Sequence, residues 1–236
     1  MLRTTLRKTV RAIGRWGLAP FLRRAWRQAA PALNERPLEY AFAFNCLAKL
    51  YPEKVLDVGS GLTSWPHTLR CCGFQVTALD QMDSYWKEGF FNRHFYVIND
   101  DITKPRLKGP FDLITCLSTL EHIADHNAAL KGLFSLLRPG GHAVLSFPYN
   151  DGRYVENVYQ LPEAGYGRDY GFICQVFSRK ELDGWIKENH AAIVAQEYYE
   201  VFSGEFWTMG ERLLPPRKVT RNDKQHLACL LLKKES

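Results

Sequence analysis

The chain has 236 residues, of which 46% are hydrophobic and 24% are charged. This balance is ordinary for a soluble globular protein with one main domain, and it excludes a disordered chain. No apolar run approaches the roughly 20 residues that cross a bilayer as a helix. The six cysteines show no Cys-x-x-Cys spacing, which argues against a disulfide scaffold and against a zinc site.

The positive charge is concentrated at the N-terminus. Before Glu35 there is no acidic residue, but there are eight basic ones: Arg3, Arg7, Lys8, Arg11, Arg15, Arg23, Arg24 and Arg27. These eight charges exceed the whole-chain net charge of +6, so the rest of the chain is slightly acidic. Nucleic acid is therefore disfavoured as a partner of the main domain. We expect a basic arm over residues 1–34 and a folded domain over residues 35–236.

The arm has the pattern of an amphipathic helix. At helical spacing its basic residues face away from an apolar side formed by Leu2, Leu6, Val10, Ile13 and Trp16. This pattern is typical of a helix in the interface of an anionic membrane, and it predicts a cytoplasmic protein that is peripheral at the membrane. A mitochondrial transit peptide, a nucleic-acid segment and a helix that packs on its own domain remain alternatives.

A cofactor-binding turn is predicted at residues 55–61, which read VLDVGSG. A short apolar strand runs there into Gly59 and Gly61, and glycine lets the backbone approach a ligand closely. A second strand over residues 75–79 ends at Asp80, where an acid can accept hydrogen bonds from a ribose diol. The pair of features indicates a cofactor that carries a nucleoside.

Strands and helices then alternate, which predicts a parallel sheet with helices on both faces. We expect strands over residues 111–118 and 142–148, separated by a helix that ends before the RPGG of residues 138–141. A helix over residues 37–50 precedes the first strand, and a capping box at Ser178 and Glu181 begins another helix. Strands over residues 192–201 and 227–232 would complete seven.

These segments, in this order, resemble the class I S-adenosylmethionine (SAM) dependent methyltransferases. The matching residues fall between about 50 and 148: VLDVGSG at 55–61, Asp80, NDDI at 99–102, FDLI at 111–114, LEHI at 120–123 and LRPGG at 137–141. The resemblance implies a Rossmann-like α/β fold with a seven-stranded, mostly parallel sheet, and SAM as cofactor. A nicotinamide dehydrogenase is a poorer match, since its fingerprint requires glycine at Ser64.

The resemblance also implies roles for individual residues. Asp57 would orient the glycine loop or meet the amino group of the methionine moiety, Asp80 would hold the ribose, and Asp101, or Asp100, would hold the adenine. Thr63 replaces a glycine that is usual in the family, but it keeps its backbone N–H. The implied cofactor-binding set is Asp57, Gly59, Ser60, Gly61, Thr63, Asp80, Gln81, Asp101, Ile102, Leu117 and Ser118. The helix over residues 37–50 commonly covers this pocket in the family, and its Arg36, Glu39 and Tyr40 would face either the ligand or solvent.

Methyl transfer to a hydroxyl needs alignment and, usually, removal of a proton. His122 is the candidate base, with Glu121 orienting it or the substrate; a purely structural role for the pair is the alternative. Some relatives carry Glu-x-x-Glu-His here and bind a divalent metal. Ser118 stands where the first of those glutamates would be, so we predict no metal.

Residues 149–174 interrupt the regular pattern with tyrosine, asparagine, aspartate and arginine, a composition that suits a polar, ring-shaped acceptor. We expect substrate contacts from Tyr149, Tyr154, Arg168 and Tyr170, and a second wall from residues 203–224. The predicted function is O-methylation of a glycan or lipid-linked saccharide at a membrane surface. The alternatives are methylation of a lipophilic small molecule such as a quinone precursor, and a non-catalytic SAM-binding or assembly protein.

Overall fold

The computed structural model describes residues 33–82, 92 and 94–235. The chain divides into two units, Met1–Asn34 and Glu35–Ser236, and nearly all of the described residues belong to the second. The amphipathic helix predicted for the arm lies outside the described residues. Within the described part, no helix is long and apolar enough to cross a bilayer.

The described part of the second unit contains four α-helices and eight strands. The helices are α1 (Arg36–Leu50), α2 (Trp65–Cys71), α3 (His126–Leu136) and α4 (Arg179–Glu188). The strands are β1 (Lys54–Val58), β2 (Gln75–Asp80), β3 (Ile98–Asn99), β4 (Phe111–Leu117), β5 (Leu137–Pro148), β6 (Ala191–Phe202), β7 (Arg212–Val219) and β8 (Leu227–Lys234). Short 3-10 helices occur at Leu120–His122 and Val158–Gln160.

All eight strands form one sheet, in the order β3-β2-β1-β4-β5-β8-β6-β7. The strands from β3 to β5 pair in parallel. By contrast, β8 lies antiparallel between β5 and β6, and β7 is antiparallel to β6 at the edge. The predicted α/β architecture is confirmed, but the strand number is eight rather than seven. The extra strand, β7, lies in residues 203–224, which we expected to form only a wall over the acceptor.

Helices cover both faces of the sheet, as predicted. Leu56 and Ile114 belong to one buried cluster together with residues of α3 and α4. Their neighbours Val55 and Leu113 belong to another, with residues of α1 and α2. Successive strand residues point to opposite faces, so the two clusters lie on opposite sides. The central strands are therefore buried on both faces, which explains their continuous apolar sequences.

Local signals in the sequence account for the helix ends near the site. Pro37 stands in the first turn of α1, where its missing N–H costs nothing, and Tyr51 ends that helix with a left-handed φ of 43°. The capping box predicted at Ser178 and Glu181 is present at the start of α4. Because β1, β2 and β4 run parallel, their carboxyl ends meet at one edge of the sheet, and the site lies there.

Candidate functional site

The glycine loop after β1 has a backbone that requires glycine. Gly59 has a φ of +78° and Gly61 a φ of +49°, a left-handed region that favours glycine. A Cβ atom added to Gly59 would lie 2.1 Å from side-chain atoms of Thr119. The loop is thus pressed against the turn that follows β4, and a larger residue at position 59 would displace one or the other.

Asp57, at the end of β1, holds this loop through a hydrogen bond from Ser60. It is 3% exposed, and its two oxygens accept hydrogen bonds of 2.7 Å from the hydroxyls of Ser60 and Thr115. Burial raises the pKa of Asp57 to about 6, although these two hydrogen bonds oppose the rise. Of the two roles implied for Asp57, these contacts are those of a residue that orients the loop.

Asp80, at the end of β2, lies against the same loop. Its carboxylate accepts hydrogen bonds from the backbone N–H of Gly61 at 2.7 Å and of Gln81 at 2.8 Å. Burial raises the pKa of Asp80. Thr63, the residue that replaces the third glycine, donates its hydroxyl to the carbonyl of Ser60 at 2.8 Å. The loop therefore closes on itself without that glycine.

Asn92 is a loop contact that the sequence did not reveal. Its side-chain amide donates to the carbonyl oxygens of Gly61 at 2.9 Å and Thr63 at 3.1 Å. Its own oxygen accepts from the backbone N–H groups of His94 and Phe95. Asn92 belongs to no periodic pattern, so no signal in the sequence pointed to it.

A cleft of about 390 Å³ opens at the ends of β2 and β3. Asp100 is 5% exposed, and the backbone N–H groups of Arg106 and Leu107 donate to it. Asp101 is half-buried and accepts from the N–H and hydroxyl of Thr103. Asp100 is committed to the loop that follows, which leaves Asp101 as the better adenine contact. The cleft is lined by Gln81, Asn99, Asp100, Asp101, Lys104 and Arg106.

Ile102 lies below this cleft and not in its lining. It is 4% exposed and packs in the core cluster that includes residues of α3. Its carbonyl oxygen lies 1.8 Å from where a Cβ of Gly132 would be, so α3 passes directly over it.

A second cavity, of about 320 Å³, is lined in part by Glu53, Asp112 and Arg138. It lies at the starts of β1 and β4, away from the glycine loop.

A buried carboxylate joins α1 to the carboxyl ends of β4 and β5. Glu39 is 0% exposed, and it accepts hydrogen bonds from the hydroxyls of Ser118 and Ser146 and from Arg36. Arg36 also donates to the carbonyl of Leu117 at 3.1 Å. Glu39 thus does not face solvent, and its contacts hold Ser118 and, through Arg36, Leu117. Both residues are predicted to contact the methionine end of SAM. Ser118 has a left-handed φ of 44°.

His122 is held in one tautomer. Its Nδ1 lies 2.6 Å from the carbonyl oxygen of Ile173, so Nδ1 carries the proton and Nε2 is left as an acceptor in the neutral ring. Burial lowers the pKa of His122, which favours that neutral form. Such a ring can take a proton from a hydroxyl at Nε2.

Glu121 lies beside this ring. It is 3% exposed, and its Oε1 is 3.9 Å from Nε2 of His122. Burial raises the pKa of Glu121 well above its usual range. In residues 33–82, 92 and 94–235, no group of three or more His, Cys, Asp or Glu side chains is arranged to hold a metal ion.

A row of aromatic rings extends from His122. Its edge meets Phe172, with ring centres 4.9 Å apart. Phe172 stacks on Tyr170 at 5.1 Å, and Tyr170 meets Tyr159 at 5.3 Å. The ring centre of Tyr166 lies 6.1 Å from that of Tyr159. Tyr166 and Tyr170 are 38% and 49% exposed. We call Tyr159, Tyr166, Tyr170 and Phe172 the aromatic wall.

The predicted substrate residues do not lie together. Tyr170 belongs to the aromatic wall, but Tyr149 is 0% exposed and stacks on Tyr198. Tyr149 is therefore a core residue and not part of a substrate-facing loop. Tyr154 is half-buried and donates to the side chain of Gln175 at 2.7 Å. Arg168 is exposed and donates to the carbonyl of Pro162.

Comparison with known proteins agrees with this geometry. A family model described as a methyltransferase domain matches residues 22–196. The ubiquinone biosynthesis O-methyltransferase of Xanthomonas euvesicatoria pv. vesicatoria (strain 85-10) is 33% identical over 122 residues, which are 49% of this chain and 50% of that protein. The chain thus spans about half the length of the curated relatives it matches.

Solved structures share the fold at low sequence identity. The 1,6-didemethyltoxoflavin-N1-methyltransferase of Burkholderia thailandensis, solved with S-adenosylhomocysteine, has a TM-score of 0.55 and 18% identity over 100% of this chain and 89% of that one. The N-methyltransferase NodS of Bradyrhizobium japonicum WM9, also with S-adenosylhomocysteine, has a TM-score of 0.56 and 13% identity over 89% and 91%. Because the family model covers more than half of the sequence, the chain belongs to the class I methyltransferases, whose cofactor is SAM.

Proposed function

We propose that this protein transfers a methyl group from SAM to a hydroxyl of a lipophilic aromatic acceptor, of which a quinone precursor is one example. The observation that carries the proposal is the position of His122. Its Nδ1 is held by the carbonyl oxygen of Ile173, and its ring makes a T-shaped contact with Phe172 of the aromatic wall. A base and a surface for a flat ring are thus side by side.

The residues around the glycine loop fit SAM. The backbone at Gly59 and Gly61 allows close approach, Asp80 stands at the strand end where a ribose diol is bound, and Asp101 lines the adjoining cleft. Bound there, SAM supplies a methyl group on a positively charged sulfur. The protein then has to align the acceptor, exclude water and remove one proton.

His122 would remove that proton. The Nδ1–H group is committed to the carbonyl of Ile173, so Nε2 accepts the proton of the acceptor hydroxyl. The lowered pKa of His122, caused by burial, keeps the ring neutral and able to accept at neutral pH. General base catalysis of this kind contributes about 10²- to 10⁴-fold.

The aromatic wall supports a flat, apolar acceptor over a sugar. Tyr166 and Tyr170 are partly exposed aromatic side chains, and aromatic rings favour contact with another ring. The curated relatives, named ubiquinone biosynthesis O-methyltransferases, support the same class. The glycan acceptor, which we predicted first, rested on composition alone and gains no support from these contacts. A lipophilic acceptor would also suit the basic arm, if that arm lies on a membrane.

The test is methyl transfer from SAM labelled in its methyl group. Purified full-length protein is given a hydroxylated aromatic with an isoprenoid tail or, separately, a lipid-linked saccharide. We expect label in the aromatic product and little in the saccharide. Label in the saccharide alone would restore the glycan function. SAM binding without transfer to either, or to a wider panel of phenols, would favour a non-catalytic binding protein.

A further inference from the structure

Glu121 is a buried carboxyl group with an unmatched oxygen. The residue is 3% exposed, and its Oε2 has no hydrogen-bond partner in the described part of the chain. Buried polar groups are nearly always paired in folded proteins. An unpaired oxygen on a buried carboxyl group costs less when the group is a neutral acid than when it is an anion, so this environment favours a protonated Glu121.

The other carboxyl oxygen of Glu121, Oε1, lies beside Nε2 of His122. The distance of 3.9 Å from Oε1 to Nε2 is too long for a direct hydrogen bond. A single oxygen can lie about 2.8 Å from both atoms at once, with about 90° between the two bonds. The acceptor hydroxyl of the proposed reaction would occupy this position.

We propose that Glu121 acts as a carboxylic acid that donates a hydrogen bond to the atom that His122 deprotonates, and that this donor selects oxygen over nitrogen as the methyl acceptor. The inference rests on the proposed function. In the transfer step, the hydroxyl proton moves to Nε2 of His122 and an oxygen lone pair forms the bond to the methyl carbon. The electron pair of the broken carbon–sulfur bond stays on sulfur, and Glu121 keeps its proton.

The selection follows from counting lone pairs. A hydroxyl offers one proton and two lone pairs. The proton goes to His122, one lone pair accepts from Glu121, and the other attacks the methyl group. An aromatic amine has a single lone pair, which must form the new bond. The Glu121 proton then either blocks that pair or is left unpaired in a buried site, and such a mismatch costs about 10- to 100-fold.

The surroundings of Glu121 favour its protonated form. Arg36, the guanidinium group that acts on Glu121, is paired with Glu39 at 3.0 Å. Burial is the main cause that raises the pKa of Glu121, and the charges of Glu39 and Glu35 add to it. A hydrogen bond from its own backbone N–H and the charge of Arg36 oppose the rise. The titratable groups that face it are Glu35, Arg36, Glu39, Cys116, His122, Tyr159 and Cys174.

Two substitutions distinguish the effect of the hydrogen-bond donor of Glu121 from the effect of its side-chain size. Glu121→Gln keeps the size and an N–H donor but cannot titrate, whereas Glu121→Leu keeps the size and removes the donor. Glu163→Gln is the matched control, because Glu163 is exposed. Binding of S-adenosylhomocysteine to every variant confirms that the cofactor site is intact.

The first measurement is the infrared difference spectrum at pH 7 between wild type and Glu121→Gln, each with S-adenosylhomocysteine bound. We expect the carbonyl band of a protonated carboxylic acid, absent from the difference spectrum of Glu163→Gln. If that band is missing, Glu121 is ionised and the proposal is overturned, whatever the activity.

The second measurement compares 1-naphthol with 1-naphthylamine, which differ only in the acceptor atom. We expect wild type and Glu121→Gln to prefer the naphthol, and the preference to fall at least tenfold in Glu121→Leu. A slower naphthol reaction with an unchanged preference would reduce Glu121 to a structural residue. If neither probe is methylated, the proposed function is in doubt for these rings. The inference is then decided by their relative affinities for the S-adenosylhomocysteine complex, measured by calorimetry.

Discussion

The carboxylate of Glu39 accepts a 2.7 Å hydrogen bond from Ser146, which stands 107 residues further along the chain. The same group binds the hydroxyl of Ser118 and pairs with Arg36. Helix α1 is thereby fixed to the carboxyl ends of β4 and β5, immediately before the turn that carries Glu121 and His122. Helix α1 thus helps to hold the strand ends from which the candidate catalytic turn begins.

Glu39→Ala should therefore destabilise the protein. It removes the acceptor of two hydroxyls and the partner of Arg36, and we expect unfolding in urea to show a loss of about 3 kcal/mol. The control is Glu163→Ala, an exposed position that should change stability by less than about 0.5 kcal/mol. Equal stability of the two variants would contradict the structural role of Glu39.

Asp80→Ala should weaken SAM binding by about 1–3 kcal/mol, because a charge-assisted hydrogen bond to the ribose is lost together with the bond to Gly61. Calorimetry measures the affinity directly. Asp183→Ala on α4, whose side chain is 58% exposed, is the control and should bind as wild type does. Unchanged affinity in Asp80→Ala would remove Asp80 from the cofactor site.

His122→Ala should slow methyl transfer by about 10²- to 10⁴-fold and leave SAM affinity nearly unchanged. Burial lowers the pKa of His122, so the neutral base persists to lower pH than in a free imidazole. The wild-type rate should accordingly fall only as the pH drops below about 6.5. A pH–rate profile that is identical in the variant, at an undiminished rate, would rule out this base.

Asp57 should make stability depend on pH. Its folded-state pKa of about 6 lies above the value of about 3.9 expected in the unfolded chain. Its contribution is therefore fully present below pH 4 and is lost as the pH rises through 6. Comparing wild type with Asp57→Asn, we expect the stability of wild type relative to the variant to drop by on the order of 2 kcal/mol between pH 4 and pH 7. A constant difference would show that Asp57 titrates normally.

For the arm, we propose that residues 1–30, which lie outside the described structure, bind anionic membranes through their basic, amphipathic pattern. Each basic residue near such a surface contributes on the order of 1 kcal/mol, and salt should weaken the attraction. Deletion of residues 1–30 should abolish sedimentation with anionic vesicles and preserve SAM binding. Salt-independent binding to neutral vesicles would argue against the electrostatic part.

The strands and helix start nearest the predicted cofactor site could be predicted from the sequence, because the residues that indicate them lie within one element. The strands β1, β2 and β4 are largely apolar runs, of which β1 leads into Gly59 and β2 ends at Asp80. The capping box at Ser178 needs only its neighbour Glu181. These features follow from the residues within one element, so the confirmed α/β fold was predictable from the sequence.

The remainder depends on contacts between distant parts of the chain. Strand β7 contains Pro215 and Pro216 and has no buried residue, so it has neither an apolar alternation nor a full set of N–H donors. Composition could not show that Tyr149 stacks on Tyr198 in the core. Glu39 reads as an ordinary helix acid until its partners, 79 and 107 residues away, are known.

The place of β8 in the sheet has a consequence for how the protein is made. The ribosome produces β8 after all the other strands. In the sheet, however, β8 lies between β5 and β6 and pairs with both of them. The parallel strands can assemble as they emerge, but the pair β6 and β7 has no place to join them until β8 is synthesised. Nascent chains that stall before Leu227 would therefore expose the edges of β5 and β6, which are the surfaces that a chaperone must shield from aggregation.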